Sequence, residues 1–569
     1  MKKTLLSIIN HLYKKRILYG ILLFIFILFI LNTFHTEFSD EFDNIFGGFL
    51  ITQGVLPHTG FFTHHNPGAY YVAALLIPFT GRSFVTFRIA FAILLFASFV
   101  ASYIYLHKRL PRTNLNFFLL YGFLIGIGST YWWGHMLLSE TIVSFLLVPL
   151  YIIIFIKKLN GYKFDFIDIL SASILTFFAL FTSLTYIYLV PFINLVILYF
   201  YLKDNSHNIT QKLIKGLSVF IIPYALFFIY LLLIGGLQEF YFQSIFYNVN
   251  YYIYNFPKVG EVFSHNPLRY AMSIAHNTFN SYYALLTQFK NFNFSYPFTV
   301  AIGLVNIIFL IYLLLRKQFL LTFLLIMTVF YTNARSDPLN ISETDFHATV
   351  FISLTLSFLS LLLVKLKDEL NHNLPYFERL ILSSVFLLLG LYWTFNTLYL
   401  WNKFNFKVYG KIMGQDPLIY DNKQVAPLLN RLLTENDYYW IGPFELQELL
   451  FIKARPASKY YWFLPANSRD EKIKSEFITD LTKNRPKIIV FKTSDHFFGV
   501  KASEFGKVLI DFLNQNYFRI NDLRSENLHL DIKFPKQRNF DFETDFYFDK
   551  LRKDEIIKEL VEKEIIEIN

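Results

Sequence analysis

The chain contains no cysteine among its 569 residues. Disulfides and thiolate chemistry are excluded, and so is the redox clue to compartment. Any metal site would have to be built from histidine and carboxylates. Charge is also scarce: 17% of residues are charged, against about a quarter in a soluble protein. There is no internal repeat and no low-complexity linker. What fills the space is apolar. Hydrophobic residues make up 54% and aromatics 20%, with 68 phenylalanines. They come in long blocks, which indicates a polytopic α-helical membrane protein.

The net charge of +10 could suggest a nucleic-acid partner, but its location argues otherwise. Residues 403–569 hold 27 Lys+Arg against 26 Asp+Glu, whereas residues 1–402 hold 25 against 16. The excess lies in the apolar part, where membrane orientation accounts for it. No nucleic-acid partner is expected.

The first apolar run, 17–34, follows a basic flank and lacks a small-residue cleavage site, so it reads as a retained span with its N-terminus in the cytoplasm. Further blocks near 84–106, 115–131, 137–156, 164–181, 184–202, 214–235, 297–315, 318–332, 345–365 and 378–400 bring the expectation to about eleven spans. With that start, the cytoplasmic segments carry 19 of the 25 basic residues of 1–402. Ten of the sixteen acidic residues, Glu37, Asp40, Glu41 and Asp43 among them, fall outside. The sequence thus divides into a membrane part, 1–402, with a first extracytoplasmic loop at 35–83, and a C-terminal extracytoplasmic part, 403–569. The latter reads as α/β: "YYWIGPF" and "PKIIVFK" as strands, "GKVLIDFLNQN" and the terminal "DKLRKDEIIKELVEKEIIEI" as helices. Residues 268–287 read as a helix lying on the outer surface. The sequon at Asn208 falls on the cytoplasmic side and is discounted.

The first loop concentrates chemistry. Asp40, Asp43 and Asn44 stand at i, i+3 and i+4. On a helix over 40–53 they share a face opposite Phe42, Ile45, Phe46, Phe49 and Leu50, with Gly54 as the stop. A bland alternative is an N-cap at Ser39 or Asp40, with the acidic first turn favoured by the helix dipole. A second short amphipathic segment runs from Pro67 to Pro78, too short to span, and His64 and His65 lie between the two.

These features resemble the GT-C superfamily of integral membrane glycosyltransferases, most closely its protein O-mannosyltransferase and aminoarabinose-transferase branch. The resemblance rests on Asp40-Glu41 just after the first span, then "GVLPHTGFF", "HHNPGAYY" and Arg88 opening the next span. It covers the first 150 residues well and the remainder mainly by topology. It implies a polyprenyl-phosphate-sugar donor lying between spans and an acceptor on protein, lipid or glycan. It also implies Asp40 as the general base and inversion at the anomeric carbon. A hydroxyl is a weak nucleophile, so a carboxylate within hydrogen-bond reach must take its proton. Asp43 is a rival base on the same face, and Glu41 organises the loop. An acidic residue at the start of the fourth span, here Glu140, is similar to one the family keeps near the donor phosphate. An N-capping or snorkelled acid is the alternative there. Arg335 and His347 are the outer cationic candidates for the phosphate. Arg88 either binds phosphate or, the favoured reading, anchors its span. His64 and His65 suit sugar, phosphate or a divalent metal, but their spacing matches no tight metal motif, so no metal is expected to be required.

A transporter or flippase of lipid-linked sugars would share the spans. It should also show charged or broken mid-membrane helices and a repeat between halves, which this sequence lacks. A polysaccharide polymerase or ligase would rely on a later loop such as 236–296. A non-catalytic protein whose tail binds a partner would make the first loop dispensable.

Overall fold

A computed structural model describes residues 2–34, 37–111, 113–204, 207–255, 297–332, 346–373, 425–525, 530–532 and 540–568, with short pieces between 268 and 283. The expected span at 378–400, Arg335, and half of the expected surface helix at 268–287 lie outside them. The chain forms two compact units: residues 1–36, 83–229 and 271–416 in one, residues 37–82, 230–270 and 417–569 in the other.

The first unit is helical. Its main elements are α1 (Lys2–Asn32), α4 (Phe84–Arg109), α5 (Asn116–Gly128), α6 (Ser139–Leu159), α7 (Phe166–Thr182), α8 (Val190–Asp204) and most of α9 (Ile209–Leu233), followed by Pro297–Leu315, Phe319–Tyr331 and Thr349–Asn373. Four described helices are long and apolar enough to cross a membrane: Phe84–Arg109, Ser139–Leu159, Ile209–Leu233 and Phe346–Lys365. Several shorter apolar helices accompany them.

Polar side chains knit the apolar helices. Asn32 donates to the Gly126 carbonyl at 2.7 Å and to Ser129 at 2.8 Å. Asn306 donates to Thr355 at 2.9 Å. Such bonds hold helices together where the hydrophobic effect cannot. At one end of the unit, Asp165 caps α7 in a reciprocal box with Asp168. Arg109, from the last turn of α4, reaches Asp165 at 2.5 Å and Asp168 at 2.8 Å, and Lys157, from the last turn of α6, reaches Asp168 at 2.6 Å. Cations at two helix C-termini therefore meet acids at a helix N-terminus, in agreement with the macrodipole of each.

The second unit joins α2 (Ser39–Thr52), α3 (Gly68–Thr80) and a helical stretch over 237–250 to the C-terminal part. The stretch contains a π turn at Tyr241–Phe246. The strands are β1 (Tyr438–Gly442), β2 (Arg455–Pro456), β3 (Ile488–Phe491), β4 (His496–Phe497), β5 (Val500–Lys501), β6 (Tyr517–Phe518), β7 (Leu530–Ile532), β8 (Phe546–Asp549) and β9 (Ile566–Ile568). Five form a mixed sheet in the order β2-β1-β3-β8-β6. β1, β2 and β3 run parallel, and β8 runs antiparallel to β3 and β6. Strands β1 and β3 are almost wholly buried apolar runs, as expected for a sheet covered on both faces. Helices Glu471–Lys483, Lys507–Asn516 and Lys553–Glu562 each put only two or three apolar side chains inward.

Candidate active site

α2 starts at Ser39, and its N-cap position is Phe38, which has no capping side chain. The N-cap reading of Ser39 or Asp40 is therefore replaced by an uncapped start carrying Asp40 and Glu41 in the first turn, where the dipole favours acids. The helix ends at Thr52, and Gly54 follows with φ of 82°, the left-handed geometry expected of the stop.

The apolar face is as expected, with Phe42, Ile45, Phe46 and Leu50 buried. The opposite face is not a solvated polar face. Glu41, Asp43 and Asn44 are buried as well, while Asp40 is half-buried. Glycines explain the closeness. A Cβ at Gly47 would meet the Tyr70 ring at 2.4 Å, and one at Gly48 would meet the Ala73 Cβ at 2.3 Å. The glycine pair lets α3 settle directly on α2 and seal the face that a helical wheel leaves open.

Asp43 is held from two directions. The Tyr70 hydroxyl donates to one carboxylate oxygen at 2.7 Å, and the Tyr461 hydroxyl donates to the other at 2.8 Å. Burial pushes the Asp43 carboxyl up to about 6, and the two tyrosine bonds pull the other way without cancelling it. Burial beside the carboxylate also raises both tyrosines well above their ordinary value.

The network continues to the histidine pair. Tyr70 and Thr63 hydroxyls lie 2.8 Å apart, and the His65 backbone N–H donates to the Thr63 hydroxyl at 3.1 Å. The His64 and His65 rings pack at 3.9 Å, with Tyr252 at 4.3 Å from His64 and Trp462 edge-on at 5.5 Å. The π-turn stretch fastens this loop from outside. Gln243 accepts from the Thr63 N–H at 3.1 Å and donates to the His58 carbonyl at 2.8 Å. Asn248 donates to the His64 carbonyl at 2.7 Å. Burial drops His58 to about 4, so it stays neutral as a structural residue.

Asp40, Glu41, Asp43, His64 and His65 thus all belong to the second unit, Asp43 and His65 joined through Tyr70 and Thr63. Glu140 and His347 belong to the first unit. Glu140 is buried in the first turn of α6. His347 is half-buried in a short turn, Phe346–Ala348, that packs against α6. Arg88 is buried, donates to the Thr33 carbonyl at 3.2 Å and lies under the Phe84 ring at 4.7 Å. Among the described residues no group of three or more His, Asp or Glu side chains is arranged to hold a metal ion.

Sequence reasoning missed Tyr70, Thr63, Gln243 and Tyr461. Tyr70 stood inside the quoted "HHNPGAYY" run. Tyr461 lies 418 positions from Asp43, and no local pattern could have paired them.

No protein-family model matches the chain, and no curated protein matches it. Among solved structures, the archaeal oligosaccharyltransferase AglB from Archaeoglobus fulgidus, in complex with an inhibitory peptide and a dolichol-phosphate, matches with a TM-score of 0.41 and 12% identity. The match covers 84% of this chain and 69% of that one. Similarity of that degree does not define an activity.

Proposed function

We propose that the chain is an integral membrane glycosyltransferase of the GT-C kind, taking a sugar from a polyprenyl phosphate to an acceptor on the extracytoplasmic face, with Asp40 as general base. Eleven spans, a cytoplasmic N-terminus and an outward C-terminal α/β part belong to the same proposal. So do roles for His64 and His65 toward the sugar, and for Glu140, Arg335 and His347 toward the donor phosphate.

One observation carries the reading. In the acidic turn after the first span, two carboxylates are buried and a third is left half-exposed. Asp43 has both oxygens occupied by tyrosine hydroxyls and is closed off, so it suits positioning rather than proton transfer. Asp40 stands one turn earlier on the same helix and keeps part of its surface. A base must reach its proton before its pKa matters. In the reaction, the acceptor oxygen attacks the anomeric carbon as its proton passes to Asp40. The bond from that carbon to the phosphate oxygen breaks, and the polyprenyl phosphate leaves with both electrons. A single displacement inverts the anomeric centre.

The test is Asp40→Asn, with transfer followed by mass spectrometry of lipid-linked sugars and products in cells. The expected result is a loss of about 10²–10⁴-fold, the usual weight of a general base, at unchanged protein abundance. A variant that still transfers at the parental rate would remove Asp40 from the mechanism.

A further inference from the structure

Within the second unit a cleft of about 990 Å³ opens beside the free edge of the five-stranded sheet. That is the upper end of the ~300–1,000 Å³ of small-molecule pockets. Its walls carry Arg82, Lys453, Arg455 and Lys459 against Glu435 and Asp480, four positive charges to two negative, an excess of +2. Three of the cations, Lys453, Arg455 and Lys459, come from the C-terminal part, and the fourth, Arg82, is brought to the cleft from the end of the first loop.

Part of this charge is already committed. Asp480 accepts from the Ser458 hydroxyl at 2.8 Å and the Lys459 N–H at 3.2 Å, and Lys459 pairs with Glu476 at 2.8 Å. Arg82 donates to the Ile452 carbonyl at 2.6 Å and lies over the Phe49 ring at 4.2 Å. That bond uses one of the five donors of a guanidinium and fixes its plane. Lys453 and Arg455 are exposed on the wall.

The edge strand decides what kind of chain fits. In β2 the N–H groups of Arg455 and Ala457 face β1, bonding Asp437 at 3.0 Å and Tyr439 at 2.8 Å. The residue facing outward between them is Pro456, which has no N–H. A peptide could not add as a further strand there, because strand addition needs main-chain donors along the edge. Recognition there would come from lining side chains: the cations Arg82, Lys453 and Arg455, with Gln53 and Tyr438.

We propose that this cleft binds an anionic saccharide, its carboxylate or phosphate groups held by Arg82, Lys453 and Arg455 and its hydroxyls by Gln53 and Tyr438. The inner wall includes Tyr461, whose hydroxyl holds Asp43, so the cleft borders the carboxylate network. That the ligand is the acceptor of the transfer rests on the transferase reading; the binding itself does not.

The experiment uses the purified full chain in detergent and measures Kd for tetragalacturonate, a phosphorylated mannan oligosaccharide, neutral maltotetraose and tetraglutamate. One of the acidic saccharides is expected to bind about ten-fold or more tightly than maltotetraose, with affinity falling as salt rises. Which one binds better identifies the anionic group. K453E combined with R455E should remove about ten-fold or more of that affinity. Lys558→Glu, on a residue outside the cleft, should leave it unchanged. Equal binding of the neutral sugar, no binding of either acidic saccharide, or indifference to K453E/R455E would overturn the proposal. Tetraglutamate binding as tightly through the same two residues would also overturn it, in favour of a peptide site. Repeating the titration on Asp40→Asn separates the two proposals. Retained binding without transfer supports both, and retained transfer sinks the base while leaving the cleft intact.

Discussion

Asp43 is the residue at which burial and hydrogen bonding compete most openly. Its carboxyl is pushed to about 6 from an ordinary 3.8, mainly by burial. A folded-state value above the unfolded one means that folding favours the protonated form. The contribution to stability is fully present below about pH 3.8 and is lost as pH rises through about 6. A shift of this size corresponds to roughly 3 kcal/mol. Asp43 should therefore add stability as pH falls from 7 to 5, read as the difference in thermal midpoint between the detergent-solubilised parent and Asp43→Asn, because His58, dropped to about 4, works the other way and Glu445, raised to about 7, works the same way. Asp43→Asn keeps an acceptor and loses the charge, so on going from pH 7 to 5 its midpoint should gain less, or lose more, than the parent's. Asp43→Ala removes the acceptor shared by two buried tyrosine hydroxyls, of which Tyr70 keeps Thr63, and should cost about 1–3 kcal/mol. An Asn variant with the parental pH slope would assign the slope to another group.

At the scale of elements, the two helices of the first loop were legible and their packing was not. The phenylalanine and isoleucine spacing of 42–50 marks the buried stripe of α2, and the short segment read from Pro67 to Pro78 is α3, which runs on to Thr80 with Pro78 inside it. The same spacing put Asp43 and Asn44 on a polar face opposite that stripe and did not say what covers it. What hides that face is the Gly47-Gly48 pair, which reads in sequence as weak helix and acts in the fold as a contact surface. Replacing Gly48 by Ala should gain helix propensity of about 1 kcal/mol. The new Cβ, however, would stand 2.8 Å from the Ala74 nitrogen, a backbone atom that cannot swing aside. Overpacking of about 1–3 kcal/mol should outweigh the gain and lower the thermal midpoint. Gly20→Ala, where a Cβ meets nothing within 4 Å, is the matched control and should not lower it. Equal behaviour of the two variants would mean that α2 and α3 are looser than their contacts imply.

At the scale of the molecule, sequence order is a poor guide to what folds together. Composition separates an apolar 1–402 from a charge-balanced 403–569, yet residues 37–82 and the C-terminal part share one compact unit. The ties are specific. The Phe62 N–H donates to the Lys459 carbonyl at 3.0 Å, Phe46 packs edge-on to Tyr461 at 5.1 Å, and Phe42 meets Phe451 at 6.4 Å. None has a local signature, because each partner is about four hundred residues away and the pairing exists only once the sheet has formed. Burying one Phe fully is worth about 1.5–3 kcal/mol, so stripping away the C-terminal part exposes several such side chains in a loop of fewer than fifty residues. Deleting residues 425–569 should therefore leave the apolar helices in the membrane but release α2 and α3. Limited proteolysis with mass-spectrometric readout should find new cleavage between Glu37 and Arg82 in the truncated protein and none in the full chain. Supplying 425–569 as a separate polypeptide should restore protection, and Tyr461→Phe in that polypeptide should restore it less well by the loss of one buried bond to Asp43. A first loop that stays protected without the C-terminal part would mean that α2 and α3 hold each other unaided, and the tyrosine clamp would then be a consequence of the fold rather than a support of it.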